Sequence, residues 1–207
     1  MGKRKKMNSL NNNYLSILIL LGAFLFLQRT NAQKNEYAYS VSDTLPFGKL
    51  NPEASKELQD YAKLIGVCDC KSTTRKKDKT WAEPIAMQWT FKYIMNGTAV
   101  QDETLKSDGT HSGSIRQFNT DSLQWFVHYY STKNTVPILS TWQGGRKDDE
   151  IILYKSQKAP NGTEGFYKIR FYDISENGFN WLGAWTTKEE SFVYETWKIE
   201  CIKRSGS

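Results

Sequence analysis

Arg116 is the charged side chain of this sequence with the most chemistry to offer. It lies in a short stretch between Ile115 and Phe118, where alternate residues would face opposite sides of a strand. An arginine on an inward face needs a counter-charge, because an unpaired buried charge is very costly. Its planar fork also suits a ligand carboxylate or phosphate. Asp102 and Glu103 are the nearest acids on the preceding stretch. They are adjacent, so only one can share a face with Arg116, and the two cannot act together as an acid/base pair. Glu103 is taken as the partner that would orient a ligand with Arg116. Replacing Arg116 by Ala is then expected to weaken binding more than folding.

Aromatic residues would supply the walls of such a site. The chain holds 7 Trp, 11 Tyr and 10 Phe. Trp89, Phe91 and Tyr93 fall on one face of an alternating run, as do Trp125, Val127 and Tyr129, and Trp181 with Trp185. Large rings with polar tips suit an interior cavity for a flat or apolar molecule. The ligand-lining set read from the sequence is therefore Trp89, Tyr93, Trp125, Tyr129 and Trp181, with Glu103 and Arg116. The alternative is that these rings simply fill a core.

Other chemistries find little support. His111 and His128 are the only histidines, and neither has a partner at metal-ligand spacing. There is no nucleophile elbow, phosphate-binding loop or dinucleotide fingerprint, so no catalytic residue and no cofactor is assigned. Asp148-Asp149-Glu150 lacks the alternate spacing of a calcium loop. Cys68, Cys70 and Cys201 lack the paired spacing of a structural zinc site, and no metal is expected. Cys68 and Cys70 share a strand face, so a bridge between them would be strained. A bridge from one of them to Cys201 would tie the two ends of a domain together, and Cys70 with Cys201 is the pair carried forward. Three free buried thiols is the alternative. Asn96-Gly-Thr98 and Asn161-Gly-Thr163 match the glycosylation sequon, but tight turns explain both.

The formal charge of +6 does not indicate a nucleic-acid partner. Lys3, Arg4, Lys5, Lys6 and Arg29 precede residue 33 and no acid does, which leaves 23 basic against 22 acidic residues beyond it. A basic face for phosphates is therefore not expected. The early lysines, the apolar run 14–27 and Thr30-Asn31-Ala32 read instead as a secretory signal peptide over 1–32, cleaved after Ala32. A membrane anchor is the alternative, but the run is shorter than the ~20 residues a spanning helix needs. The expectation is an exported protein, periplasmic or extracellular, with no membrane attachment after cleavage.

Residues 33–50 read as a linker, followed by one domain over 51–206. Asn51, Pro52 and Glu53 suit a helix start, and Ala54, Leu58, Tyr61, Ala62 and Ile65 form an apolar stripe over 51–63. Ile85 to Met95 then alternates with a period of two and ends in Asn96-Gly97, a strong hairpin signal. Asp108-Gly109, residues 119–122, Gly144-Gly145, Asn161-Gly162 and residues 176–178 punctuate the rest. About ten strands result, near 66–73, 85–95, 98–105, 112–118, 123–131, 136–143, 150–156, 166–174, 179–187 and 191–203. No second helix fits between them, so a parallel sheet is excluded. The pattern predicts an all-β, antiparallel up-and-down barrel with one N-terminal helix covering an end. A sandwich is the competitor, but short connections and the removal of sheet edges favour closure.

Several of these segments resemble one family. Leu64-Ile-Gly-Val-Cys-Asp-Cys70 is similar to an "L-x-G-x-W" opening strand. Residues 89–103 resemble the hairpin "W-x-x-x-Y-I-L-D-G-x-A-I-x-D-E". Ser114-Ile-Arg-Gln-Phe-Asn119 resembles "N-L-R-x-F-D", with Trp125 following, and residues 172–181 resemble "Y-x-I-x-x-D-x-F-x-W". The pattern is that of an uncharacterised, mostly bacterial, lipocalin-like (calycin) domain of unknown function. The resemblance covers about 58–203 and implies a calycin-type barrel with an internal cavity, often in exported proteins, and no established activity. Cys68 departs from it, standing where the opening strand's Trp would help close the barrel floor. The expected function is binding of a small apolar molecule inside the barrel. The alternatives are a hydrolase or isomerase using the same cavity, with Glu103, Asp102 or His128 as acid or base, and a filled barrel that binds a partner protein.

Overall fold

A computed structural model describes residues 37–206. The proposed signal peptide, residues 1–32, lies outside the described residues. Alternation of apolar and polar side chains produces ten strands: β1 (Gly66–Thr74), β2 (Ile85–Ile94), β3 (Ala99–Lys106), β4 (His111–Asn119), β5 (Gln124–Ser131), β6 (Ser140–Lys147), β7 (Glu150–Ser156), β8 (Gly165–Ser175), β9 (Gly178–Thr187) and β10 (Val193–Lys203). Each pairs antiparallel with its sequence neighbours, and β1 pairs with β10, which closes the barrel. The architecture is the expected antiparallel up-and-down barrel and is consistent with a calycin-like fold.

The seam between β1 and β10 is covalently fixed. Cys70 sits directly opposite Cys201, and the two form a disulfide. The buried Cys68, two residues earlier on the same face, stays free. Burial pushes its thiol up to about 11. Packing thus accepts a small sulfur where the resembled family carries a Trp.

The two barrel ends differ. Turns after the even strands are short, residues 148–149 and 176–177 among them. The longest connections, 75–84, 132–139 and 157–164, all follow odd strands. The short-turn end is closed by the one helix among the described residues, Lys56–Leu64. This helix differs from the expected one in two ways. It starts at residue 56 rather than 51, because the Asn51 side chain accepts the Glu53 N–H at 2.9 Å and folds residues 51–54 into a turn. It is also a 3₁₀ helix. Leu58, Tyr61 and Leu64, three residues apart, are the buried positions, and three residues per turn aligns them on one side.

Two further features were not foreseen. β6 runs four residues beyond its expected end, since Gly144-Gly145 lie within the strand rather than in a turn. Gly144 has φ +152°, and a Cβ there would meet the Ile152 carbonyl at 2.2 Å, so the glycine permits close approach of β7. The turn falls at Asp148-Asp149 instead, with Asp148 at φ +54°. Residues 39–50, read as part of a linker, are hydrogen-bonded onto the β2–β3 hairpin. Phe47 O accepts from Tyr93 N (2.8 Å), Gly97 O accepts from Asn51 N (3.2 Å), and Asn96 Oδ1 accepts from Tyr39 N (2.9 Å).

Candidate functional site

Beneath the helix the barrel is filled. Tyr61 points into it, with its ring 4.8 Å edge-on from Trp125 and 6.2 Å from Phe171. Trp125 also packs on Phe118 and donates its indole N–H to Asp60 at 3.0 Å. Tyr93 donates its hydroxyl to Leu58 O at 3.3 Å. Trp125 and Tyr93, expected as ligand walls, are therefore parts of the plugged end.

The half toward the long loops is hollow. A cavity of about 280 Å³ lies there, walled by residues of β2 to β10. Trp89, Tyr129, Trp181 and Arg116 line it, and Asp102, Trp142, Tyr167, Phe171 and Trp197 complete most of the wall. Trp89, Trp142, Trp181 and Trp197 are spread over β2, β6, β9 and β10, so indoles face the space from several sides. Thr104, Ser112 and Ser114 make a polar strip along β3 and β4. Trp185 is not on the wall. It is half-buried, 6.3 Å from Phe192, and donates to Gln157 O at 2.9 Å.

Arg116 sits on the cavity floor with its guanidinium carbon over three rings, 5.1 Å from Tyr61, 5.2 Å from Phe91 and 5.7 Å from Phe171. It is ion-paired with Asp102, and both side chains are nearly inaccessible, at 3% and 4% exposure. Asp102 accepts two further hydrogen bonds, from Trp89 Nε1 at 2.8 Å and from Ser114 Oγ. Burial pulls the Arg116 pKa down, partly offset by Tyr61. Burial also pushes the Tyr61 phenol up to about 12.

The partner of Arg116 is thus Asp102 and not Glu103. Glu103 lies on the outer barrel face with its side chain 53% exposed, 4.0 Å from Lys92. The sequence held the signal for this. A hairpin turning at Asn96-Gly97 places Phe91 opposite Asp102 and Trp89 opposite Thr104. If Trp89, Phe91 and Tyr93 face inward, Asp102 must as well. His128 also faces outward, with Nδ1 3.0 Å from Thr141 Oγ1, while its neighbours Val127 and Tyr129 line the cavity. Of the acids and bases considered for an enzyme, only Asp102 reaches the interior, and it is held by three donors.

Trp142, Tyr167, Phe171 and Trp197 were missed. Trp142 was obscured by the misplaced end of β6. Trp197 follows a register shift between Glu195 and Trp197 that breaks simple alternation. Phe171 and Tyr167 lie on one face of β8, where period-two reading alone would have found them.

No family model matches the chain, and no curated protein matches its sequence. Solved structures that resemble it do so at low identity. Rv2717c from M. tuberculosis is 10% identical, with a TM-score of 0.48 over 73% of this chain and 99% of that one. An S-type phycobiliprotein lyase, CPES from Guillardia theta, is 6% identical, with a TM-score of 0.45 over 74% of this chain and 99% of that one. A protein of unknown function of the DUF3598 family from Nostoc punctiforme is 6% identical, with a TM-score of 0.24 over 72% of this chain and all of that one.

Proposed function

We propose that this protein is exported and binds one small, largely apolar molecule in the open half of its barrel. The observation that carries the reading is the asymmetry of the interior. One half is packed solid by the helix, while the other encloses about 280 Å³ walled by indoles and aliphatic side chains. Small-molecule sites have this composition, with apolar walls and a few placed polar groups. A cavity of ~150 Å³ holds benzene, so this one suits a molecule of about two fused rings or a short branched chain. A barrel built only as a rigid module would gain from filling that space, because empty volume forfeits packing. Export is supported by the positive, apolar and small-residue order of residues 1–32 and by the Cys70–Cys201 disulfide, which persists in an oxidising compartment.

Native mass spectrometry of protein taken from its own host's exported fraction tests both parts. The expected result is a chain beginning at Gln33 that carries a small-molecule adduct lost on denaturation. A chain that retains residues 1–32 would overturn cleavage after Ala32, and recovery of the protein only from the cytoplasmic fraction would overturn export. An adduct-free protein that also gives no thermal shift with any member of a panel of one- and two-ring aromatic compounds would overturn binding.

A further inference from the structure

We infer that the molecule held in this cavity is an apolar acid, with its anionic group at Lys155 near the mouth and its apolar body between the indoles. The inference rests on the binding role proposed above and adds the ligand's charge. It starts from the ionisable side chains on the wall. Asp102, Arg116 and Lys155 carry the formal charges among the described lining residues. Arg116 and Asp102 neutralise one another on the floor, and Asp102 also accepts from Trp89 and Ser114. One positive charge is left over, and it belongs to Lys155.

Lys155 faces inward on β7, in phase with the buried Ile151 and Leu153. Its Nζ lies 4.4 Å from the centre of the Trp142 ring and 3.5 Å from Ser140 Oγ. No described carboxylate forms an ion pair with it, and burial lowers its pKa with no charged neighbour acting against that. Lys155 is half-buried. Even partial desolvation of a cation without a counter-ion is unfavourable, and the indole face returns only part of the lost solvation. A ligand anion would supply the missing charge. Trp142 adds a second unfilled demand, since its Nε1–H is buried without an acceptor among the described residues.

The rim reinforces this polarity. Lys106, at the end of β3 opposite Met87, holds its Nζ 4.3 Å over the Trp197 ring, and burial lowers its pKa too. Asp108, whose charge partly offsets that lowering, is also engaged by Lys133 at 3.1 Å. Two cations therefore lie on tryptophans that wall the cavity, Lys155 on Trp142 and Lys106 on Trp197. A neutral apolar ligand would leave Lys155 uncompensated.

Two probes of similar shape separate charge from shape: 2-naphthoate and its neutral counterpart 2-naphthalenemethanol. Their dissociation constants are measured by calorimetry at low and at physiological ionic strength, on wild type, Lys155→Met, Lys155→Gln and Lys155→Arg. The expected result is a wild-type preference for naphthoate of about tenfold, as for a charge-assisted hydrogen bond in a partly wet site, shrinking with salt. Lys155→Met and Lys155→Gln should lose the preference yet still bind the alcohol, and Lys155→Arg should keep it. Equal wild-type affinity for the two probes would overturn the inference and leave the binding role standing, as would a preference that survives in both Lys155→Met and Lys155→Gln. Failure of wild type to bind either probe would overturn the inference, and the binding role would then stand or fall on the native adduct and the wider aromatic panel.

Discussion

The buried pair on the cavity floor makes an asymmetric demand on the two residues that form it. Asp102→Asn keeps the shape of the side chain and an oxygen that can accept from Trp89. It leaves Arg116 charged, 3% exposed and without a counter-ion. A guanidinium cannot shed its proton in a protein, so that cost cannot be relieved by neutralisation. Breaking a buried pair in this way costs about 3–5 kcal/mol. At roughly 2–4 °C per kcal/mol for a domain of this size, Tm should fall by about 6–20 °C. Arg116→Met leaves a carboxylate that still has two donors and can take up a proton, so it should cost less, about 1–3 kcal/mol. The double variant removes both charges and should be more stable than Asp102→Asn alone. Urea denaturation of the four proteins, with thermal melts beside it, completes the cycle. The reasoning is refuted if Arg116→Met is as damaging as Asp102→Asn, or if the two effects simply add. The placement of Arg116 also reverses the expectation drawn from sequence. An arginine seated over Tyr61, Phe91 and Phe171 and paired with Asp102 should affect folding at least as much as binding.

Other perturbations report on other parts of the barrel. Cys201→Ser opens a cross-link spanning 131 residues, which in the chain-entropy model is worth about 5 kcal/mol, so its urea midpoint should fall sharply and its slope should rise as the denatured chain expands. Gly97→Ala should cost more than about 1 kcal/mol, because φ is +79° and a Cβ would meet Lys49 O at 2.2 Å. Hydrogen exchange should quicken at Tyr39, Lys49 and Asn51 before it does in the strands. Glu103→Gln on the outer wall should shift stability by less than about 0.5 kcal/mol, and a larger loss in urea titration would mean that Glu103 is not where it is placed here. Tyr61 and Tyr93 are both pushed up to about 12 by burial, whereas an unfolded chain ionises its tyrosines near pH 10. Above pH 10 the unfolded state therefore holds fewer protons than the native one. Stability should be intact below that pH and fall progressively from 10 toward 12, with late tyrosinate absorbance tracking unfolding.

The strands were legible because their signals are local. Alternation from Ile85 onward and a turn at Asn96-Gly97 need no tertiary information, and Cys70 and Cys201 near the two ends of the domain hinted at closure. What escaped was decided by contacts between strands. Gly144-Gly145 carries the composition of a turn but serves the close approach of β7, a role visible only once Ile152 is in place. The stripe Ala54, Leu58, Tyr61, Ala62 and Ile65 has the three-and-four spacing of an α-helix, whereas the helix that closes the short-turn end buries Leu58, Tyr61 and Leu64 at a spacing of three and leaves Ala62 exposed. The choice between Asp102 and Glu103 is the instructive case. Either acid alone satisfies a charge argument, and alternation within β3 only says that they differ. The register of the β2–β3 hairpin settles it, by tying Asp102 to the face that Trp89, Phe91 and Tyr93 already occupy. The consequence reaches the function. With Asp102 inside, the charge of Arg116 is balanced by the protein, although its Nε is buried without an acceptor among the described residues, and the unpaired charge of the cavity moves from the floor to Lys155 at its mouth. A ligand recognised there enters body first and keeps its head near water, so its binding should depend on ionic strength in a way that a salt bridge on the floor would not.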